Sequence, residues 1–202
     1  MGNVALRQES MEEMSSVADT YSADLHELTA GLLTYPETSR LKGANVRDAV
    51  DPAIHPCVPH ILDVIQQFCT RKFDEAYDSA QAATETVAPS DDVNWRLLTM
   101  LASVRALGSL GRHREAVALA RDIEHLIPTA DPFLGFVVLW QIGVEYRRNG
   151  QLAEAFRHTY AARMEAMRLG AEQELALITN DLGSMHLESG DPVKALARYE
   201  KA

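Results

Sequence analysis

The chain has 202 residues, 47% of them apolar and 24% charged, with a formal net charge of −10. That size and balance suit one globular domain or a short solenoid and exclude a disordered chain. An acidic chain without a basic stripe lacks the footprint that binding to a phosphate backbone needs, so no nucleic acid partner is expected. The charge is uneven. Residues 1–92 carry 6 Lys/Arg against 16 Asp/Glu, while residues 93–202 carry 13 of each. Two cysteines, Cys57 and Cys69, make no disulfide framework. The N-terminus has no apolar stretch of the signal-peptide kind, and Leu6 stands where a myristoylation motif has Ser or Thr. No apolar run approaches the ~20 residues of a membrane span, so a cytoplasmic protein without a membrane partner is expected.

Residues 1–57 read as an amphipathic helix and a linker. Met11, Met14, Ala18, Tyr21, Leu25, Leu28 and Leu32 follow one another in alternating steps of three and four. That is a heptad seam, and it predicts a helix over 10–33. The seam suits either a capping helix laid on the first repeat or a homodimer contact. Pro36, Gly43, Pro52 and Pro56 break any regular pattern over 34–57. His55, Cys57 and His60 in HPCVPH, with Cys69 downstream, are side chains that zinc accepts. Their spacing fits no established zinc arrangement, so an ordinary helix entry is expected and no metal or other cofactor.

From residue 58 the chain repeats. RKFDEAYDSAQA from Arg71, GRHREAVALARD from Gly111, GQLAEAFRHTYA from Gly150 and GDPVKALARYEKA from Gly190 align at intervals of 40, 39 and 40 residues. Each has an alanine five residues on: Ala76, Ala116, Ala155 and Ala195. A glycine at the start closes one helix in the left-handed conformation, and the alanine lets two helices cross closely. Asp191-Pro192, Asp131-Pro132 and Ser90-Asp91 supply caps before helices. Upstream of each segment the apolar residues keep helical period, as in Leu139, Ile142 and Tyr146, and in Ile178, Leu182 and Met185. The spacing predicts helices over 58–70, 72–87, 93–110, 112–126, 132–149, 151–169, 171–189 and 191–202. With the first helix that makes about nine, and no strand pattern is present.

Leu182-Gly183, Gly190, Ala195, Tyr199 and Ala202 resemble the tetratricopeptide repeat, with His186 as a departure at the aromatic position that follows Leu-Gly. Trp140, Ile142-Gly143, Tyr146, Gly150, Ala155 and Ala162 carry the same resemblance one repeat earlier. Gly111, Ala116, Ala120 and Pro128 carry it before that, and the first copy has Arg71 where glycine is usual. The resemblance implies an all-α fold: a tetratricopeptide-like α-solenoid of four antiparallel helix pairs over 58–202, the last one truncated. The ~40-residue interval exceeds the family's 34, which implies longer helices or loops. The pattern stops in mid-helix at Ala202, so the chain is expected to be part of a longer protein.

The same resemblance implies a protein- or peptide-binding module whose first helices line a concave face. Carried onto this chain, that face presents Leu101 and Arg105, then Trp140, Val144, Arg147 and Arg148, then Asn180, Ser184 and Glu188. An aromatic anchor at Trp140 beside the guanidinium groups of Arg147 and Arg148 would suit a peptide or an acidic ligand. The competing expectation packs Trp140 between repeats and leaves both arginines at a helix end. No nucleophile–base arrangement, phosphate loop or metalloprotease motif is present, so no catalysis is expected of this segment. His26, His113, His125 and His158 are expected at the surface, and His186 packed. Repeats of this Ala-, Leu- and Arg-rich type resemble those that precede bacterial diguanylate cyclase (GGDEF) domains, which implies a sensory or regulatory role in signalling. A peptide-binding region of a transcription regulator, or a plain scaffold, are the alternatives.

Overall fold

The computed structural model describes residues 21–33 and 46–200. The expectations for Met11, Met14, Ala18, residues 34–45 and Ala202 lie outside those residues. Among the described residues every regular element is helical and none is a strand. Helix α1 covers 21–33 and a short α2 covers 46–49. There follow α3 (Val58–Cys69), α4 (Phe73–Glu85), α5 (Val93–Ser109) and α6 (His113–Ile123). A 3-10 turn (Glu124–Thr129) leads to α7 (Pro132–Arg148), α8 (Leu152–Leu169), α9 (Glu172–Glu188) and α10 (Pro192–Tyr199). Sequence neighbours pack as pairs: α3 with α4, α5 with α6, α7 with α8, and α9 with α10. Successive pairs touch through α4 on α5, α6 on α7 and α8 on α9, and α5 also meets α3 and α7.

The turn inside each pair is the same device four times. Gly111, Gly150 and Gly190 have φ of 75°, 77° and 79°, and Arg71 takes φ of 58° at the equivalent place. In each case the next amide reaches back five residues at 2.9 Å: Lys72 to Gln67, Arg112 to Leu107, Gln151 to Tyr146, and Asp191 to His186. This six-to-one bond satisfies a carbonyl that the helix end would otherwise orphan. Arg71 performs the turn with a Cβ in the left-handed region, which L-residues avoid.

Past each turn the expected alanine is buried. Ala76, Ala116 and Ala155 are fully covered, and Ala195 nearly so. The facing helix is also thinned. A Cβ on Gly143 would strike Thr159 Oγ1, and one on Gly183 would strike the Tyr199 ring. Both contacts span sixteen residues, so the repeat register extends into the packing.

Two boundaries differ from the sequence reading. Residues 46–49, expected as linker, form a helical turn whose Val46 is buried, together with Val50 beyond it. The helix predicted over 112–126 gives way to the 3-10 turn at Glu124, with Pro128 inside it. Caps at Asp131 and Asp191 are as expected, accepting from Phe133 and Leu134, and from Lys194. The cap before α5 is Asp92 and not Asp91: Asp92 accepts from the Asn94 amide at 2.7 Å, while Asp91 accepts from Ala88.

Substitutions at these positions read out the register. Ala155→Leu should destabilise by about 1–3 kcal/mol through overpacking. Gly150→Ala should cost about 1 kcal/mol, and Arg71→Gly should stabilise by up to about 1 kcal/mol. Urea midpoints that fail to move in these opposite directions would contradict the four-turn register.

Candidate partner-binding face

The first helices of three successive pairs, α3, α5 and α7, carry α1. Leu25, Leu28 and Leu32 of α1 are all but fully buried. The Tyr21 ring meets Trp95 of α5 edge-on, with centroids 5.4 Å apart. His26 packs on Phe133 and donates from Nε2 to Asp131 at 3.2 Å, at the start of α7. A Cβ on Gly31 would lie 2.8 Å from Ile65 of α3, so α1 approaches α3 closely. The described half of the heptad seam, Tyr21, Leu25, Leu28 and Leu32, therefore packs in this chain's own core, as a capping helix would.

The C-terminal end of α1 reaches the residues nominated from sequence. Leu33, Arg105, Trp140, Gln141, Val144 and Arg148 line one cleft of about 30 Å³. Four of the nine residues nominated for this face thus meet around α1. That volume holds about one water, so the cleft is narrow. Leu101 is buried outright.

Two nominated side chains are engaged within the protein. Trp140 is 3% exposed, and its Nε1–H donates to Asp181 Oδ2 at 2.7 Å. It joins α7 to α9 and is not the exposed anchor that the sequence suggested. Arg147 donates to Glu188 at 2.6 Å and lies 3.7 Å from Asp181. Its guanidinium is raised above its usual range, first by the Glu188 hydrogen bonds. Arg147 and Trp140 together fasten consecutive pairs, so neither is a free recognition group.

Arg148 has a different partner. It donates to Glu145 Oε1 at 2.8 Å, and Gln141 donates to the same oxygen at 3.0 Å. His113 donates from Nδ1 to Oε2 at 3.0 Å. Glu145 is fully buried, and a Cβ on Gly108 would land on its carboxylate. Glycine at 108 is therefore what makes room for a buried charge, and three donors satisfy it. Asn180 is exposed on α9. Ser184 is half-buried, donating to the Asn180 carbonyl and accepting from Tyr199.

Two further arrangements were not legible as sites. Cys57 Sγ lies 3.1 Å from His55 Nδ1, and His55 Nε2 lies 3.4 Å from Asp91. The order resembles a thiol, a base and an orienting acid. However, Cys57 is fully buried and its thiol is pushed up to about 12 by burial, the reverse of an activated nucleophile. The trio ties the entry to α3 onto the start of α5, where His55 stacks on Trp95 at 4.8 Å. No metal cluster occurs among the described residues. A pocket of about 290 Å³ lies between the 3-10 turn, α7 and the end of α8, lined by Ile127, Pro128, Phe136 and Leu139. Its two charged residues, Glu165 and Arg168, pair with each other at 2.8 Å.

His158, expected at the surface, is buried and stacked on Tyr146 at 5.0 Å. His186 is packed as expected, against Phe156 and 3.1 Å from the Tyr160 hydroxyl.

Asp181 gives this face a pH signature. Burial raises its carboxyl above the ordinary range, while Trp140 and Arg147 pull it back. A raised native value means that the folded state holds the proton more tightly than the unfolded chain. The contribution is then fully present below the unfolded value and is lost as pH rises through the native one. Asp181→Asn keeps an acceptor for Trp140 and removes the titration. Its stability relative to wild type should increase as pH rises from about 4, measured by paired urea unfolding; a pH-independent difference would contradict the assignment. Separately, Arg148→Met should destabilise by about 1–3 kcal/mol because Glu145 loses a charged donor.

Comparison with protein-family models, with curated proteins and with solved structures found no match for this chain.

Proposed function

We propose that this chain is a tetratricopeptide-like α-solenoid that works as a protein- or peptide-binding module, with its binding face on the first helices of its pairs. The observation that carries the reading is α1 itself. An amphipathic helix lies across α3, α5 and α7, and its end is ringed by Arg105, Trp140, Val144 and Arg148. A face that holds one helix this closely has the shape and apolar lining that helix recognition requires. The 39–40-residue recurrence of left-handed turns and buried alanines supports the solenoid. The likeness to repeats that precede diguanylate cyclase domains supports a regulatory role in bacterial signalling, in the cytoplasm. Binding, not catalysis, is the proposed activity.

The face can be located directly. Peptides selected from a random displayed library against the full chain should be captured by a photo-crosslinking residue placed at Asn180, which is exposed on α9. The same residue at Ala161, exposed on α8, should capture none. A library that yields no binder, or capture at residue 161 alone, would overturn the reading.

A further inference from the structure

The α1 helix is buried on more than its leucine seam. Asp24, Thr29 and Gly31 are covered as well, and within 21–33 only Ala23 and Glu27 are exposed. It therefore lies in a trough, held on several sides, and not on a flat surface. The hold contains a defect. Asp24 is 6% exposed, and its Oδ2 has no hydrogen-bond partner among the described residues. Burial, with Asp51 as the next contributor, raises its carboxyl above the usual range. A buried carboxylate left short of a donor opposes docking, whereas the three leucines favour it.

The trough also has polarity. Asp92 and Asp131 stand near Tyr21, the first described residue of α1. Arg105 and Arg148 stand beside Leu33 at its C-terminal end. None of this depends on the particular side chains of α1. A helix presenting three leucines at the same spacing, with glycine at the place of Gly31 and entered in the same direction, meets the same surface.

We propose that the trough formed by α3, α5 and α7 is a helix-receiving site with α1 as its resident occupant, and that its partner is a separate amphipathic helix that repeats the Leu25, Leu28 and Leu32 spacing and displaces α1. This rests on the binding-module reading above and names the partner's chemistry. Binding is then competitive: the apparent affinity for a partner helix is reduced by the fraction of molecules in which α1 fills the trough.

The test uses the full chain and a fluorescent peptide of residues 21–33. Leu28→Asp weakens α1 in its own trough without altering the walls. That variant should bind the peptide at least about tenfold more tightly than wild type, following the population argument. A peptide with aspartate at all three leucine positions should bind neither protein. A designed helix with the same three leucines and the same glycine, on an Ala/Glu/Lys frame elsewhere, should bind as the native peptide does. A second variant guards against misfolding of the first. A Cβ at residue 31 lies 3.5 Å from Ile65 Cγ1, so Gly31→Cys/Ile65→Cys can cross-link α1 to α3. The oxidised form should refuse both peptides, and reduction should restore binding. Equal affinity in wild type and Leu28→Asp, or unchanged binding in the oxidised form, would overturn the proposal. So would recognition of the native peptide but not the designed helix. Library peptides captured at Asn180 alongside such a failure would leave the module standing and remove only α1 as occupant.

Discussion

How closely two helices of a pair can approach is the constraint on which this structure depends. The chain must reverse in two or three residues and bring the next helix back along the last. Gly111, Gly150 and Gly190 make that reversal in the left-handed region, each closing with a 2.9 Å six-to-one bond. Once reversed, the helices touch across Ala116, Ala155 and Ala195, which offer only a methyl group. Gly143 and Gly183 remove even that from the opposite helix, and Thr159 and Tyr199 occupy the space. Arg71, though exposed, holds the same turn without glycine, closed by the amides of Arg71 and Lys72 on the carbonyls of Phe68 and Gln67.

Contacts between pairs are of a different kind. Within a pair the helices meet through small apolar residues, whereas α7 and α9 are fastened by polar ties. Trp140 donates to Asp181, and Arg147 bridges Asp181 and Glu188. These ties orient one pair against the next, because a hydrogen bond is directional where apolar contact is not. Glu145 extends the polar layer towards α5 and α6, with His113 and Arg148 as its partners. A buried carboxylate with three donors is tolerable, and Arg148 is the donor whose loss costs it most.

Much of this was legible before the structure. Helix limits from 58 onwards fall within a few residues of the spacing, because apolar period and punctuating glycine act locally. The glycine–alanine register, including the aberrant Arg71, was equally local. The site was harder. Helical period identified which face Trp140 and Arg147 share, but not that the face was already engaged. A signal was nevertheless present. Trp140 and Asp181 stand 41 residues apart, as do Arg147 and Glu188. An aromatic donor and a cation, each followed one repeat later by an acid, form a paired pattern. Val46 and Val50 were obscured by the prolines around them. The buried place of His158 depends on Tyr146 from the neighbouring helix, and no single-helix pattern carries that.

The central claim is that the pairs form one mutually supporting stack and are not a set of independent hairpins. Amide hydrogen exchange on the full chain, resolved by residue, measures this most directly. Helices α5 and α7 contact neighbours on both sides, whereas α10 packs on α9 and exposes Val193 and Leu196. The account predicts slowest exchange in α5 and α7, at rates set by global unfolding, and fastest exchange among α3 to α10 in α10. Exchange in α5 and α7 as fast as in α10 would contradict it, because each pair would then be opening alone.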